Sequence, residues 1–365
     1  MPRSRRALCI QTHFCLARPV RGKLSALEGA VILRGMNRRV EALASKVLDG
    51  ASLSRNECME LAALDGQDRF DFLYWANRIR RHFVGDAVHL CSIISVRTGG
   101  CPEDCAFCAQ SARHAANVPT TDLLPFETVL AAACASQSSP VERFGMVSSG
   151  DCAGREQDFA RVIEYVERLR VKCPDLGLCA SLGRLSEQQA RQLRAAGLTR
   201  INHNLETSER FFPRICSTHT WTDRVATARA IKSAGLGLCC GGIFGLGETW
   251  EDRIDLALAL RELGADVVPI NFLNPIPGTP LQGRGLLPPL TALHIIALYR
   301  FILPRAEIKL CGGREITLRD LQSWMFYAGA NATMAGNYLT TAGRPAQDDV
   351  QMIRDLGLSL ERAGE

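Results

Sequence analysis

Residues 177–205 read GLCASLGRLSEQQARQLRAAGLTRINHNL and contain one complete strand–helix–strand unit. The first six residues are mostly apolar, which predicts a short buried strand. Ser186 followed by Gln189 is a capping-box pattern for the start of a helix, and Gly197 stands where that helix should end. The last seven residues predict a second strand. A unit of this kind is typical of a parallel sheet with helices outside it.

The same alternation of strands and helices repeats along the chain from about residue 85. The predicted strands are 88–96, 143–148, 177–182, 199–205, 236–243, 266–272, 307–310 and 333–339. Eight such units, closed into a ring, make an α/β fold of the (β/α)8 TIM-barrel type, whose chemistry lies at the carboxyl ends of the strands. An open doubly wound sheet is the alternative, because periodicity does not distinguish the two.

The barrel is predicted to be one of several segments of the chain. Residues 85–345 form the barrel, and residues 346–365 form a C-terminal helix or tail. The preceding residues 36–84 are a helical lead-in, since apolar residues recur there at helical spacing. The predicted lead-in helices are 38–48, 55–63 and 70–83.

The net charge of +5 is concentrated at the start of the chain. Residues 1–35 hold seven basic residues and one acidic residue, so the remaining chain is close to neutral. A nucleic-acid partner is therefore not expected. The leader resembles a mitochondrial transit peptide in composition, but an over-extended or disordered start with Met36 as the working start is the preferred interpretation. We accordingly expect a cytoplasmic protein, and a mitochondrial one only if the leader is a transit peptide.

Fifteen cysteines without a secretory signal indicate a reducing compartment, where clustered thiols more often bind metal or do redox chemistry. Five of them are scattered and have no assigned chemistry: Cys58, Cys91, Cys134, Cys173 and Cys216. No apolar run approaches the length of about 20 residues that a membrane-spanning helix needs, so no membrane partner is expected.

Three cysteines stand close together immediately after the first predicted strand, in Cys101-Pro-Glu-Asp-Cys105-Ala-Phe-Cys108. Three thiolates at this spacing can converge on one soft metal centre. In a 4Fe–4S cluster they would leave one iron open for a chelating small molecule. Zinc is the alternative, but zinc sites usually need a second pair of cysteines at similar spacing, and the sequence has none.

This triplet resembles the signature of the radical S-adenosylmethionine (SAM) enzymes, and its surroundings, Arg97 to Ser111, resemble those of the biotin synthase family. The resemblance spans about residues 40–360 and is far more specific than one motif. Its further motifs, in chain order, are Asn202-His-Asn-Leu-Glu-Thr207, Gly241-Gly-Ile-Phe-Gly-Leu-Gly-Glu-Thr249, Pro269-Ile-Asn271, Gly278-Thr-Pro-Leu281, Gly312-Gly-Arg-Glu315, Ala328-Gly-Ala-Asn331 and Gly336-Asn-Tyr-Leu-Thr-Thr341.

The resemblance implies that Cys101, Cys105 and Cys108 hold a 4Fe–4S cluster whose open iron binds SAM. Cleavage of SAM would give a 5′-deoxyadenosyl radical that abstracts hydrogen from dethiobiotin. Sulfur would then be inserted to close the ring of biotin. The resemblance also implies an electron donor such as flavodoxin or ferredoxin, and a homodimer.

Further residues are predicted to line the site. Asn202, Asn204 and Glu206 alternate along one strand and should face the same side, where ribose hydroxyls or a ureido ring would bind. We expect His203, between them, to point the other way. The other candidates implied by the resemblance are Phe107 against adenine, Asn271 against substrate, and Gly241, Gly242 and Glu248 near SAM.

The best-known members of the family hold a second, 2Fe–2S cluster, regarded as the sulfur donor, with three cysteines and one arginine, and the changes in this sequence resemble those of a divergent branch. Cys179 and Cys239 match two of these cysteines. The third falls at Gly145, and the arginine falls at Lys309. We therefore predict an altered auxiliary cluster, 2Fe–2S or larger, nucleated by Cys179 and Cys239. Additional candidate ligands are Lys309, Cys311 and Cys240.

Two other functions remain open at the level of sequence. A radical SAM enzyme of the mutase or rearrangement type would keep the Cys101 triplet but need no sulfur-donating cluster. A non-catalytic protein that binds zinc or iron would need only the thiols.

Overall fold

The structure is a computed structural model that describes residues 35–336, 338, 339, 341 and 343–360. The predicted leader, apart from Gly35, and the last five residues of the predicted C-terminal tail lie outside the described residues. The strands in the described residues are Ala87–Arg97 (β1), Arg143–Ser148 (β2), Gly177–Ser181 (β3), Arg200–Asn202 (β4), Gly237–Cys239 (β5), Gly242–Phe244 (β6), Val267–Phe272 (β7), Glu307–Leu310 (β8), Ala332–Met334 (β9) and Ser359–Leu360 (β10).

The α-helices lie between the strands and before them. In the described residues they are Arg38–Leu48 (α1), Arg55–Ala62 (α2), Asp68–Val84 (α3), Phe126–Gln137 (α4), Glu156–Lys172 (α5), Glu187–Ala196 (α6), Trp221–Ser233 (α7), Trp250–Glu262 (α8), Pro289–Ile302 (α9), Arg314–Leu318 (α10), Trp324–Tyr327 (α11) and Ala346–Asp355 (α12). The predicted capping box is confirmed at α6, where the Ser186 side chain accepts from the Gln189 backbone and Gln189 reciprocates.

All strand pairs are parallel, and the sheet closes because β1 pairs with both β2 and β9. The strand order around the ring is β1-β2-β3-β4-β5-β7-β8-β9, with β6 also paired to β7. The prediction of a (β/α)8 barrel is confirmed, and the open doubly wound sheet is excluded. The carboxyl ends of the strands therefore meet at one mouth of the barrel.

The fifth barrel strand is interrupted, whereas the sequence predicts one strand over 236–243. It consists of β5 and β6, and the break falls at Cys240 and Gly241. At Gly241 a Cβ atom would collide with the carbonyl oxygen of Pro269. Backbone hydrogen bonds continue through the break, since Cys240 donates to Val267 of β7 and the carbonyl oxygen of Gly241 accepts from Leu205 and Glu206.

The helices bury their predicted apolar stripes against the outside of the barrel. On α5 the buried residues include Val162, Val166 and Leu169, at the spacing of a single helix face. Full burial of each such side chain contributes about 1.5–3 kcal/mol relative to exposure. Packing of these faces, rather than helix propensity alone, therefore fixes the helices around the sheet.

The helical lead-in is confirmed and packs against α8 and α9. Leu61 of α2 accepts a hydrogen bond from His294 of α9, and the rings of Phe72 and Phe301 lie 4.8 Å apart. In the described part of the chain, none of the helices combines the length and the apolar character needed to cross a membrane.

The C-terminal helix α12 is anchored by a buried ion pair. Asp349 accepts from Nη2 of Arg314 at 2.6 Å, and neither side chain is exposed. The chain then returns to the amino end of β1, where β10 pairs with Ala87 and Val88.

Candidate active site

The cysteine triplet lies in the loop that follows β1, as predicted. Gly99 and Gly100 both adopt positive φ angles, of 68° and 62°, so the chain turns sharply in a conformation that glycine favours. Cys101, Cys105 and Cys108 all line one cavity of about 220 Å³ at the mouth of the barrel. The three thiols thus converge as the spacing predicts.

The wall of this mouth cavity is formed by strand ends. Asn202, Asn204, Glu206 and Phe107 all line it. His203 lines it too, so the expectation that His203 points away is wrong. The reason is that β4 ends at Asn202, and strict alternation of side chains does not continue beyond a strand.

Glu206 has an unusual backbone and an unsatisfied side chain. Its φ angle is +68°, which is strained for a residue other than glycine. One carboxylate oxygen, Oε2, is buried without a partner in the described residues, while Oε1 lies 3.8 Å from Nη1 of Arg224. Burial raises the pKa of Glu206, opposed by the charge of Arg224. A buried acceptor in a cavity wall fits a ligand that carries hydroxyl donors, such as a ribose.

A fourth thiol lies against the triplet. Sγ of Cys216 is 3.8 Å from Sγ of Cys105 and 3.3 Å from Nδ1 of His219. The ligand atoms of these three residues lie within 4.8 Å of one another. His219 also contacts Glu103, at 2.8 Å. Cys216 is one of the scattered cysteines, and 111 residues separate it from Cys105, so spacing in the sequence does not connect the two.

A second cavity, of about 260 Å³, lies inside the barrel. The inner cavity and the mouth cavity share part of their walls, because Asn202, Asn204 and Glu206 line both. Four thiols line this inner cavity. They belong to Cys91, Cys179, Cys239 and Cys311.

Three of these inner thiols are predicted, and one is not. Cys179, Cys239 and Cys311 come together as expected, and Lys309 lies among them. Cys91 comes from the middle of β1, which sequence analysis did not connect with the site. The signal that could have found it is its position on a barrel strand, since alternate residues of such a strand face inward.

Lys309 is buried in the inner cavity, and its Nζ lies 3.6 Å from Sγ of Cys239. Burial lowers the pKa of Lys309, but the thiols of Cys239, Cys91 and Cys311 outweigh burial, and the net shift is upward. Cys239 also accepts from Nδ2 of Asn202 at 3.3 Å. A cationic side chain and an amide therefore converge on one sulfur.

Three further lining residues of the inner cavity are an amide held by the backbone and two arginines. Asn271 donates to the carbonyl oxygen of Gly242 at 3.2 Å and accepts from the amide of Gly312 at 3.0 Å. Arg143 and Arg200 also line the inner cavity. Arg200 pairs with Glu307 at 3.2 Å.

Four predicted site residues are not brought to either cavity. Cys240 packs into the apolar core, away from the inner cavity that Cys239 lines. Gly241 and Gly242 abut the backbone of Pro269 and Glu206, so their lack of a side chain serves strand packing. The carboxylate of Glu248 accepts from the amide of Gly245 at 3.0 Å and pairs with Arg253, which builds the turn before α8.

A closed βα-barrel with a three-cysteine loop after its first strand is the architecture of a radical SAM enzyme. Comparison with family models agrees with this class. The Radical SAM superfamily matches residues 95–260, and the Biotin and Thiamin Synthesis associated domain matches residues 269–359.

Within the radical SAM class, the chain is similar to biotin synthases. The biotin synthase of Geobacter sulfurreducens is 49% identical over 88% of this chain and 98% of its own length. The biotin synthase of Carboxydothermus hydrogenoformans is 48% identical over 89% of this chain and 100% of its own length. This chain belongs to the biotin synthase family, whose members are radical SAM sulfurtransferases.

Solved structures support the fold. Methylornithine synthase (PylB) superposes with a TM-score of 0.78 over 88% of this chain and 98% of that chain, at 21% identity. The [FeFe]-hydrogenase maturase HydG superposes with a TM-score of 0.77 over 90% of this chain and 76% of that chain, at 11% identity. At these identities the likeness concerns the barrel alone.

Proposed function

We propose that this enzyme converts dethiobiotin to biotin, with SAM cleavage in the mouth cavity and sulfur insertion from the inner cavity. The observation that carries the proposal is the arrangement of thiols in two groups. Cys101, Cys105 and Cys108 line one cavity, four more cysteines line the other, and polar side chains of the β4 region line both. A substrate between the two groups would be within reach of both.

The first group fits a 4Fe–4S cluster. Three thiolates supply three of four iron positions, so one iron is free for the amino and carboxylate groups of SAM. The cluster, when bound, supplies the electron that cleaves SAM to methionine and a 5′-deoxyadenosyl radical. Burial raises the pKa of Cys101 and Cys108, and iron binding would oppose this shift because the metal binds the thiolate.

The cavity wall would hold the rest of SAM. The unpartnered Oε2 of Glu206 is an acceptor for a ribose hydroxyl, and Asn204 lies beside it. Phe107 offers a ring face to adenine. These groups would fix the sugar relative to the substrate, which places the radical carbon next to the hydrogen that it abstracts.

Asn202 and Asn271 would orient dethiobiotin. An amide side chain both donates and accepts, which suits the ureido ring of the substrate. Asn271 is itself held between two backbone groups, so its orientation is fixed before binding. An enclosed barrel interior would also keep water from the radical.

The second group fits an auxiliary iron–sulfur cluster that donates sulfur. Cys179, Cys239 and Cys311 supply thiolates from three strands or strand ends, and thiolates are the usual ligands of such clusters. Lys309 takes the place of the family's arginine, and its contact with Cys239 supports a role in neutralising thiolate charge.

We also propose that a one-electron carrier such as flavodoxin or ferredoxin reduces the first cluster, and that the enzyme works as a homodimer in the cytoplasm. A reducing compartment suits a protein in which thirteen cysteines of the described residues are free thiols.

The test is anaerobic turnover of the reconstituted enzyme with SAM, a reductant and dethiobiotin, with biotin measured by mass spectrometry. We expect biotin and 5′-deoxyadenosine together, and neither from the Cys105→Ala variant. SAM cleavage without biotin would contradict the proposal and favour a radical SAM enzyme of the rearrangement type.

A further inference from the structure

We infer that Cys91 is the fourth protein ligand of the auxiliary cluster, which completes an all-cysteine set with Cys179, Cys239 and Cys311. The inference rests on the proposed function, because it assumes that the inner cavity holds a cluster. It adds a ligand that neither the sequence motifs nor the family resemblance indicates.

The four thiols come from alternate strands of the ring. Cys91 lies on β1, Cys179 on β3 and Cys239 on β5, and Cys311 directly follows β8, which is the seventh strand of the ring. In a barrel of this type each interior layer is built by four side chains from alternate strands. Thiols of the first, third and fifth strands, and one directly after the seventh strand, therefore line the inner cavity from alternate strands of the ring.

Strand register brings the thiols of Cys91 and Cys311 to one level. Cys91 is paired with Met334 of β9, and Leu310 is paired with Thr333 of the same strand. One residue further along each strand, Cys311 lies at the level of Met334 and hence of Cys91. Both thiols line the inner cavity.

Cys91 compensates for a thiol that the second strand lacks. A Cβ atom built on Gly145 would lie 4.0 Å from Cβ of Cys179 and 3.1 Å from a methyl group of Ile93. The space in which a cysteine of β2 would stand is therefore partly taken by a side chain of β1. The same strand supplies Cys91 two residues before Ile93. Strand β1 therefore fills part of the space beside Gly145 and provides a thiol of its own.

Charge in the cavity is consistent with four thiolates. Either a 2Fe–2S or a 4Fe–4S cluster, in its 2+ state with four thiolates, carries a net charge of −2, which is costly to bury without cations. Lys309 and Arg200 both line the cavity, and Lys309 contacts Cys239 directly. Lys309 is then a neighbouring cation, and the iron atoms need no nitrogen ligand.

The test isolates the auxiliary site in the full chain. The Cys101→Ala, Cys105→Ala and Cys108→Ala substitutions are combined, so that only the inner cavity can bind a cluster. Iron and sulfide per chain are counted after anaerobic reconstitution, and the reduced protein is examined by electron paramagnetic resonance (EPR). Cys91→Ala and, as the matched control, Cys240→Ala are then compared in this background.

We expect Cys91→Ala to lose most of the auxiliary iron, and Cys240→Ala to retain it, because Cys240 packs in the core. A Cys91→Ser variant that retains iron should have an altered EPR spectrum, since an oxygen replaces a sulfur ligand. Full iron content and an unchanged spectrum in both Cys91 variants would overturn the inference and leave the proposed function intact. A background protein that binds no iron would overturn both, because the auxiliary cluster itself would then be absent.

Discussion

The sulfur of Cys216 lies 3.8 Å from the sulfur of Cys105, so a thiol that is no part of the triplet touches one of its members. Cys216 is itself surrounded by polar groups, including Asp104 at 3.3 Å. A fourth sulfur therefore lies directly against the proposed site of the first cluster, within reach of a disulfide with Cys105.

We predict that diamide oxidises Cys105 and Cys216 of the cluster-free protein to a disulfide, with diamide reduced to the hydrazine. Cluster-loaded protein should resist, because Cys105 is then bound to iron. Peptide mapping by mass spectrometry gives the answer. Cys134 and Cys173, whose sulfurs are also 3.8 Å apart and lie outside both cavities, serve as the internal control and should oxidise in both samples. Equal protection of both pairs would contradict the prediction.

A second prediction concerns the charge beside Cys239. Lys309→Met removes a cation 3.6 Å from the sulfur, and the reduced cluster carries one more negative charge than the oxidised cluster. The reduction potential of the auxiliary cluster should therefore fall, by on the order of 100 mV for a charge about 6 Å away at an effective dielectric constant of about 20. Redox titration followed by EPR measures the shift. Lys309→Arg keeps the charge and should stay near the parent potential; an equal fall in both variants would count against an electrostatic role.

A third prediction separates two glycines. Gly241→Ala should prevent folding, because its Cβ would collide with the backbone oxygen of Pro269, which is held in β7. Gly145→Ala should cost only about 1–3 kcal/mol, since its Cβ meets a movable methyl group of Ile93 at 3.1 Å. Soluble yield and thermal unfolding compare the two. A stably folded Gly241→Ala protein would indicate that the glycine serves ligand approach instead.

A fourth prediction concerns the anchor of α12. Asp349→Ala would remove the carboxylate nearest to Arg314, which would keep the longer contact with Glu315 at 3.4 Å, so we expect a cost toward the lower end of the about 3–5 kcal/mol typical of breaking a buried pair. The neighbouring Asp348 has a side chain that is 55% exposed, so Asp348→Ala should change the free energy of unfolding by less than about 0.5 kcal/mol. Chemical denaturation of both variants provides the comparison. Similar stabilities would mean that the buried pair contributes little.

A fifth prediction concerns acid. Burial lowers the pKa of His294 from 6.5 to about 4, and its Nδ1 lacks a hydrogen-bond partner in the described residues. Because the folded pKa lies below the unfolded one, protonation favours unfolding. Stability should therefore fall as the pH drops from about 6.5 to about 4, by about 3 kcal/mol in all for this residue.

His294→Gln should flatten this part of the pH profile, measured as the midpoint of thermal unfolding of the cluster-free protein. His82 is exposed, and His82→Gln should leave the slope unchanged. Part of the slope should survive in the His294 variant, because burial also lowers the pKa of His203, to about 3. An identical slope in parent and His294→Gln would refute the assignment.

Local signals predict much of the fold. The α6 capping box and the strands 143–148 and 307–310 agree with the structure to the residue, because caps and short buried strands depend on neighbouring residues. The split of the fifth strand was not predicted; it falls where Gly241 approaches β7, a contact between segments that are distant in sequence.

The residues of the candidate site also fall into those that local sequence predicts and those that depend on contacts between distant segments. The triplet is local in sequence and is found by its spacing. Cys91 and Cys216 cannot be found by spacing. Closure of the ring and the register of β1 bring Cys91 to the inner cavity. The loop after β4 brings Cys216 to Cys105. The glycines and Glu248 of the Gly241–Thr249 motif illustrate the reverse case, in which a family motif maintains packing rather than lining a cavity.

The pairing of β10 with the start of β1 has a practical consequence. Ser359 lies beside Ala87, at the amino end of the first strand, so the chain leaves its last described element on the face of the barrel opposite the mouth. A surface linker attached beside β10 would therefore lie on the face opposite the two cavities. Immobilisation through that linker should leave the mouth open to SAM, substrate and an electron carrier.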